Sequence, residues 1–122
     1  MPNGIPVQII PTPKIEAPVR TVYIDIKKEE NTGGNEWKVN GRIFEFAVKI
    51  FADDLGTEPA NSQIKVVKRT WLDEKGESAI EEELVNGVDS SALIKDADYF
   101  EHEYIVRIEE ANVAIKGVIR VA

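Results

Sequence analysis

The chain of 122 residues has no cysteine, a single histidine and no long apolar run. Without cysteine it can form neither a disulfide framework nor a thiolate metal site, so burial and hydrogen bonds must hold the fold. No stretch approaches the roughly 18 apolar residues that a membrane span needs. The first residues also lack a basic segment followed by an apolar one. We therefore expect no signal peptide, no membrane segment and synthesis in the cytoplasm.

The sequence offers few groups for catalysis. His102 is the one histidine, so any catalysis of the Ser-His-Asp type would have to use it. It alternates with Phe100 and Tyr104 along a predicted strand, which favours a histidine in the core or at its rim. Gly33-Gly34 lacks the further glycine and the lysine of a phosphate-binding loop. We therefore predict a protein that is not an enzyme and that has no cofactor.

Two groups of acidic residues could supply part of a calcium site. The first is Asp53-Asp54 with Glu58, and the second is Asp96 with Asp98. Calcium takes six to eight oxygen ligands, and neither group has the spacing of an EF-hand loop. Solvated loop carboxylates are the favoured interpretation, so no metal site is predicted.

The net charge is −7, and the first 18 residues contribute none of it, because they hold one lysine and one glutamate. An acidic domain repels phosphate backbones and anionic lipid surfaces, so neither nucleic acid nor a membrane is an expected partner. With 43% hydrophobic and 30% charged residues, the composition is that of a folded domain. The charge itself is expected to favour solubility.

Apolar and polar residues alternate with a period of two through most of residues 19–122, which is the pattern of half-buried β-strands. Asn86-Gly87 predicts a turn, and Asn40-Gly41 predicts either a hairpin turn or a bulge inside one long strand. Lys68 and Arg69 interrupt the alternation, which predicts a bulge or a sheet edge. With turn signals every ten or so residues, the pattern predicts an all-β, antiparallel sandwich of seven to nine strands.

The second half of the chain resembles the C-to-G region of immunoglobulin-like and fibronectin type III domains. Residues 65–78 (KVVKRTWLDEKGES) are similar to a strand C with its tryptophan, here Trp71. Residues 96–121 (DADYFEHEYIVRIEEANVAIKGVIRV) are similar to an F–G hairpin with its tyrosine, here Tyr104. The cysteine pair of antibody domains is absent. The resemblance implies an immunoglobulin-like β-sandwich with Trp71 in its core, and such a scaffold does not fix a function.

Five of the six prolines fall in the first 18 residues. Proline lacks an N–H and fixes φ, so this stretch can form neither a helix nor a central strand. The sequence predicts two parts, an extended N-terminal arm (residues 1–18) and a β-sandwich domain (residues 19–122). Disordered tails are usually polar, whereas this arm is apolar and carries almost no charge, although a disordered terminus stays the alternative.

The arm is predicted to bind a partner. At about 3.1 Å per residue it could reach about 55 Å, enough to cross a neighbouring subunit. Residues 7–10 (VQII) could add a strand to a neighbour's exposed sheet edge, and the prolines that follow would end the pairing. The predicted partner-binding residues are Ile5, Val7, Ile9, Ile10, Pro11, Pro13 and Ile15.

Two functional hypotheses follow. The first is a non-enzymatic structural or interaction protein that binds identical subunits or a protein partner through its arm. It would form a homo-oligomer or lattice, or decorate a larger assembly, as capsid-decorating or tail-associated proteins of phage virions do. The second is a carbohydrate-binding or adhesion module with Trp37 as its ligand platform, since Trp37 lies beside turn residues.

Overall fold

The computed structural model describes residues 19–122, which form six β-strands in one antiparallel sheet. The strands are β1 (Arg20–Ile26), β2 (Asn35–Phe51), β3 (Ser62–Trp71), β4 (Ala79–Asp89), β5 (Ser91–Ile108) and β6 (Ala114–Val121). Their order across the sheet is β1-β6-β2-β5-β3-β4. The predicted all-β, antiparallel fold is confirmed. Within residues 19–122 no helix has the length and apolar character needed to cross a membrane.

Residues 19–122 contain six strands rather than seven to nine, because two strands are unusually long. β2 has 17 residues and β5 has 18, and each includes a segment that the sequence pattern divides in two. Asn40-Gly41 lies inside β2 and Asn86-Gly87 lies inside β4, so neither pair forms a turn. Both Asn-Gly pairs, although each is a strong turn signal, therefore lie within strands.

A register shift divides β2 into two halves with different partners. Its first half, ending at Gly41, pairs with the second half of β5, and the residues from Ile43 onward pair with the first half of β5. The second half of β2 also pairs with β6. At the shift, a Cβ on Gly41 would lie 2.8 Å from the carbonyl oxygen of Ala122, closer than a side chain can pack. Asn40-Gly41 therefore marks a bulge, one of the two predicted alternatives.

The same shift leaves a large bulge on β5. Ala97 lies opposite Ile43 and His102 lies opposite Gly41, so the four residues 98–101 face Arg42 alone. Tyr99 is 90% exposed and Phe100 is 72% exposed at this bulge. Phe100 was expected on the same buried face as His102, and the bulge is the reason that it is not.

One apolar cluster forms the core of residues 19–122. The alternating faces predicted for β2 and for the second half of β5 point into it, and the ring of Phe44 stacks on that of Tyr104 with centroids 4.2 Å apart. Each such buried side chain stabilises the fold by roughly 1.5–3 kcal/mol. The buried residues are Ile24, Phe44, Phe46, Val48, Ile50, Ile64, Val66, Tyr104, Val106, Ile108, Val113, Ile115, Ile119 and Val121.

The side chain of Asn31 links two turns of the backbone by hydrogen bonds at one end of the core. It is buried, and its Nδ2 donates to the carbonyl oxygens of Glu110 and Val113 at 2.9 and 3.0 Å. Its Oδ1 accepts hydrogen bonds from the N–H of Gly33 and from Nδ2 of Asn35. Because every polar atom of this buried amide has a partner, it stabilises the turn before β2 and the turn between β5 and β6 together.

Candidate functional site

The predicted partner-binding residues of the N-terminal arm lie outside the described residues. They are Ile5, Val7, Ile9, Ile10, Pro11, Pro13 and Ile15. Their role stays a prediction, and the sites considered below come from residues 19–122.

The two tryptophans differ in their exposure. Trp37 is half-buried and packs against the core cluster. Trp71 is 44% exposed, and the guanidinium carbon of Arg69 lies 5.5 Å from its ring centroid. Trp71 is the last residue of β3 and has the same orientation as Arg69, away from the core, so its predicted core position is wrong. Trp71 is therefore the more accessible of the two rings.

A polar cluster lies beside the core where β5 bends. Lys68 Nζ, on the buried face of β3, lies 3.0 Å from Asp96 Oδ2 and 3.1 Å from Asp98 Oδ2. The hydroxyl of Tyr104 donates a hydrogen bond to Asp96. The second predicted acidic pair, Asp96 with Asp98, is thus occupied by a lysine cation.

Thr70, His102 and Asp98 stand in a row beside this lysine. His102 Nδ1 lies 2.9 Å from Thr70 Oγ1, and Nε2 lies 2.9 Å from Asp98 Oδ2. The second contact is close but poorly directed, because Nε2 has no partner of hydrogen-bond geometry. The order resembles a hydroxyl–imidazole–carboxylate triad, yet His102 is only 4% exposed. The contact between Thr70 and His102 therefore links β3 to β5. The burial of His102 agrees with its predicted position in the core or at its rim.

The three charged groups of the polar cluster, Lys68, Asp96 and Asp98, have pKa values shifted so that they stay ionised over a wide pH range. The hydrogen bond from Lys68, with a further one from the Tyr99 N–H, lowers the pKa of Asp98 to about 2. Burial alone would raise the pKa of Asp96, but hydrogen bonds from Tyr104 and Lys68 outweigh it and lower that pKa. Burial alone would also lower the pKa of Lys68, whereas its two carboxylate partners raise it. At neutral pH one cation therefore lies between two carboxylates.

The first predicted acidic group organises the loop that contains it. Asp53 accepts hydrogen bonds from the Thr57 hydroxyl and from the N–H groups of Thr57 and Glu58, and these lower its pKa. Asp54 accepts one from the N–H of Lys28. Across residues 19–122, no three acidic or histidine side chains are grouped so as to hold a metal ion.

A row of apolar side chains crosses the outward surface of four strands. Tyr23 on β1 lies opposite Val118 on β6, which lies opposite Ala47 on β2, which lies opposite Leu93 on β5. Tyr23 is 80% exposed and Leu93 is 71% exposed. Between the ends of the row, Ala47, Gly117 and Val118 line a shallow groove of about 470 Å³. Exposed apolar side chains in a contiguous row are typical of an interaction surface.

Basic side chains flank this row on both sides. Register places Arg120, Glu45 and Lys95 on one side, and Asp25, Lys116 and Lys49 on the other. Within residues 19–122, Lys49, Lys95 and Lys116 form no ion pair. We call this surface the basic face, and its residues are Tyr23, Asp25, Glu45, Ala47, Lys49, Leu93, Lys95, Lys116, Val118 and Arg120. It carries four basic and two acidic groups in a protein of net charge −7.

Acidic side chains are concentrated at the β4 end of the sheet, whereas the basic face lies on β1, β6, β2 and β5. Residues 73–89, which we call the acidic hairpin, hold seven acidic side chains and one lysine, a net charge of −6. They comprise the turn after β3 and the whole of β4, a terminal strand of the sheet. Ile80 and Val88 are exposed on β4, and Leu72 is exposed next to the turn.

Neither the basic face nor the acidic hairpin was identified from the sequence. The basic face draws on four strands that are distant in the chain, so only their register brings it together. The acidic hairpin is visible in the sequence only as a local excess of glutamate. No protein family matches the chain, and comparisons with curated proteins and with solved structures found no significant match.

Proposed function

We propose that this protein is a non-enzymatic interaction protein that binds identical subunits or a larger protein assembly through its N-terminal arm. The observation that carries the proposal is the contiguous apolar row from Tyr23 to Leu93, whose two end residues are exposed. The apolar arm in the sequence supports it, and so do the unpaired outer edges of β1 and β4 in the described sheet, which strand addition could use.

The strand pairing supports a finer description of the fold, a sandwich of two layers. One layer would contain β1, β6, the second half of β2 and the first half of β5, and the other would contain the remaining halves with β3 and β4. The stacking of Phe44 on Tyr104 would then be a contact between layers.

If the two halves of β2 and the two halves of β5 are counted as separate strands, the fold has eight strands. Their order in the two layers is that of a double-sheet jelly roll, in which the first and last strands are neighbours. In the immunoglobulin order the first strand pairs with the second, whereas here β1 pairs with β6. The pairing therefore favours a jelly roll over the predicted immunoglobulin-like sandwich. Jelly rolls occur in viral capsid and in lectin domains, so this analogy of fold fits a virion accessory protein without deciding for it.

Removal of residues 1–18 should abolish assembly. Burial of even two isoleucines in a partner contributes about 3 kcal/mol or more, so we expect binding to weaken about 100-fold or more. Light scattering on full-length and truncated protein measures this directly. A full-length variant with Val7, Ile9 and Ile10 changed to serine should behave like the truncation, because it keeps the length but loses the apolar contacts. Unchanged assembly and partner binding in both variants would refute the role of the arm.

A carbohydrate-binding module is the second candidate, and the exposed ring of Trp71 favours it. It predicts that a glycan quenches tryptophan fluorescence in the wild type and in Trp37→Phe, but not in Trp71→Phe. Trp37 is the matched control because its ring packs against the core. Flat titrations of the wild type across a glycan panel would remove this candidate.

A further inference from the structure

We propose that the basic face of one copy binds the acidic hairpin of a second copy, so that the protein associates head to tail. This inference rests on the proposed self-assembly and adds a second interface to it. The two surfaces are different parts of one chain, and each leaves the other free on the same molecule.

Charge complementarity is the first argument. The acidic hairpin holds −6 of the total charge of −7, while the basic face has two more basic than acidic groups. Lys49, Lys95 and Lys116 have no acidic partner within residues 19–122, so their charges are available to a second molecule. Opposite patches steer encounter and fix orientation even when the net charges repel.

The ion pairs within the molecule indicate which acidic side chains of the hairpin are available to the lysines of a second copy. Glu81 is paired with Arg69, and Glu83 lies 3.5 Å from Lys65, so both are partly neutralised within the molecule. Glu74, Glu77, Glu82 and Asp89 form no ion pair within residues 19–122, and all four are exposed. We therefore assign the contacts with the lysines to this group, and Glu77 and Glu82 are the two that the test changes.

Apolar groups accompany the charges on both surfaces. The basic face has Tyr23 and Leu93 around a shallow groove, and the acidic hairpin has the exposed Ile80 on the same face of β4 as Glu82. Burial of these side chains would supply affinity, which exposed ion pairs alone supply poorly. Because the two contacting surfaces differ, the interface is heterologous and generates a ring if it closes or a filament if it does not.

A charge swap tests the pairing on the full chain. Lys49→Glu/Lys116→Glu and Glu77→Lys/Glu82→Lys each place like charges across the interface, so each variant alone should associate at least about tenfold more weakly than the wild type. An equal mixture of the two variants should recover association by alternating them, since every junction between unlike variants brings opposite charges together. Sedimentation velocity of each variant and of the mixture gives the result.

The control is Lys27→Glu/Lys28→Glu, which changes the net charge by the same amount as Lys49→Glu/Lys116→Glu at an exposed site outside both surfaces. It should associate as the wild type does, apart from a small effect of net charge. Raising the salt concentration from about 0.05 to about 0.5 M shortens the Debye length several-fold and should weaken wild-type association.

The outcomes separate this interface from the arm. Loss of association on removal of residues 1–18, with both charge variants unaffected, would overturn the head-to-tail interface and keep the arm. Association that survives the truncation but responds to the charge swap would keep the interface and overturn self-assembly through the arm. A mixture that fails to recover, a control that weakens association as strongly, or a wild type that is monomeric at every concentration would overturn the head-to-tail interface.

Discussion

Replacing Gly117 with alanine should destabilise the protein by roughly 3 kcal/mol, at the upper end of what overpacking a core costs. Gly117 lies in the middle of β6, opposite Val48 of β2. A Cβ at this position would lie 2.3 Å from the carbonyl oxygen of Ala47 and 2.9 Å from Cα of Val48. Both obstacles are backbone atoms, so β6 would have to separate from β2 along its length. The denaturant midpoint, converted with the slope of the transition, measures the loss.

Gly87 provides the matched control for Gly117. It also lies inside a strand, β4, but no atom comes within 4 Å of the Cβ that alanine would add. Gly87→Ala should leave the stability unchanged or raise it by up to about 1 kcal/mol, because alanine loses less backbone entropy on folding than glycine. Equal losses at Gly87 and Gly117 would show that the close approach of β2 to β6 is not what requires glycine.

The sequence predicted which residues of a strand face inward far better than it predicted where strands end. The alternation of Phe44, Phe46, Val48 and Ile50 was sufficient to place all four in the core, since a half-buried strand has a period of two. Asn40-Gly41 gave the same local signal for a turn and for a bulge. The bulge forms where the carbonyl oxygen of Ala122 accepts hydrogen bonds from the N–H groups of Arg42 and Ile43. Ala122 is 79 or more positions away from these residues in the sequence, so no local pattern indicates the contact.

The candidate site was less predictable, because it depends on register between distant strands. Tyr23 and Leu93 are 70 positions apart in the sequence, and only the pairing through Val118 and Ala47 aligns them. The interruption at Lys68 and Arg69 predicted a bulge or a sheet edge in β3. The register of β3 against β4 shifts between Val66 and Val67, but the extra residue is Leu84 on β4, and β3 pairs with β5 without a shift. The two carboxylates that bind Lys68 come from β5, and no local pattern connects them to β3.

Lys68→Met should destabilise the protein by roughly 2 kcal/mol at neutral pH. Removal of one partner from a buried ion pair leaves the other charge uncompensated and costs about 3–5 kcal/mol, and the partial exposure of Asp96 and Asp98 reduces that cost. Methionine keeps most of the side-chain volume, so the loss reports the charge rather than a cavity. Urea unfolding near neutral pH measures it.

Lys65→Met is the control on the same strand. Lys65 lies 3.5 Å from Glu83, but both side chains are exposed, and such pairs contribute about 0–1 kcal/mol. A loss at Lys65 as large as that at Lys68 would mean that the polar cluster has no special role in stability.

The difference between the wild type and Lys68→Met should shrink in acid. In the wild type the pKa of Asp98 is about 2 when folded, against an ordinary value of 3.8. A lowered folded pKa contributes stability that is present above the unfolded pKa, so wild-type stability falls as the pH drops from about 4 towards 2. Without Lys68 the two carboxylates repel each other, and protonation relieves that repulsion over the same range. The two urea midpoints should therefore converge between pH values of about 5 and about 2.5, and a constant gap would assign the loss to packing of the lysine side chain instead of its charge.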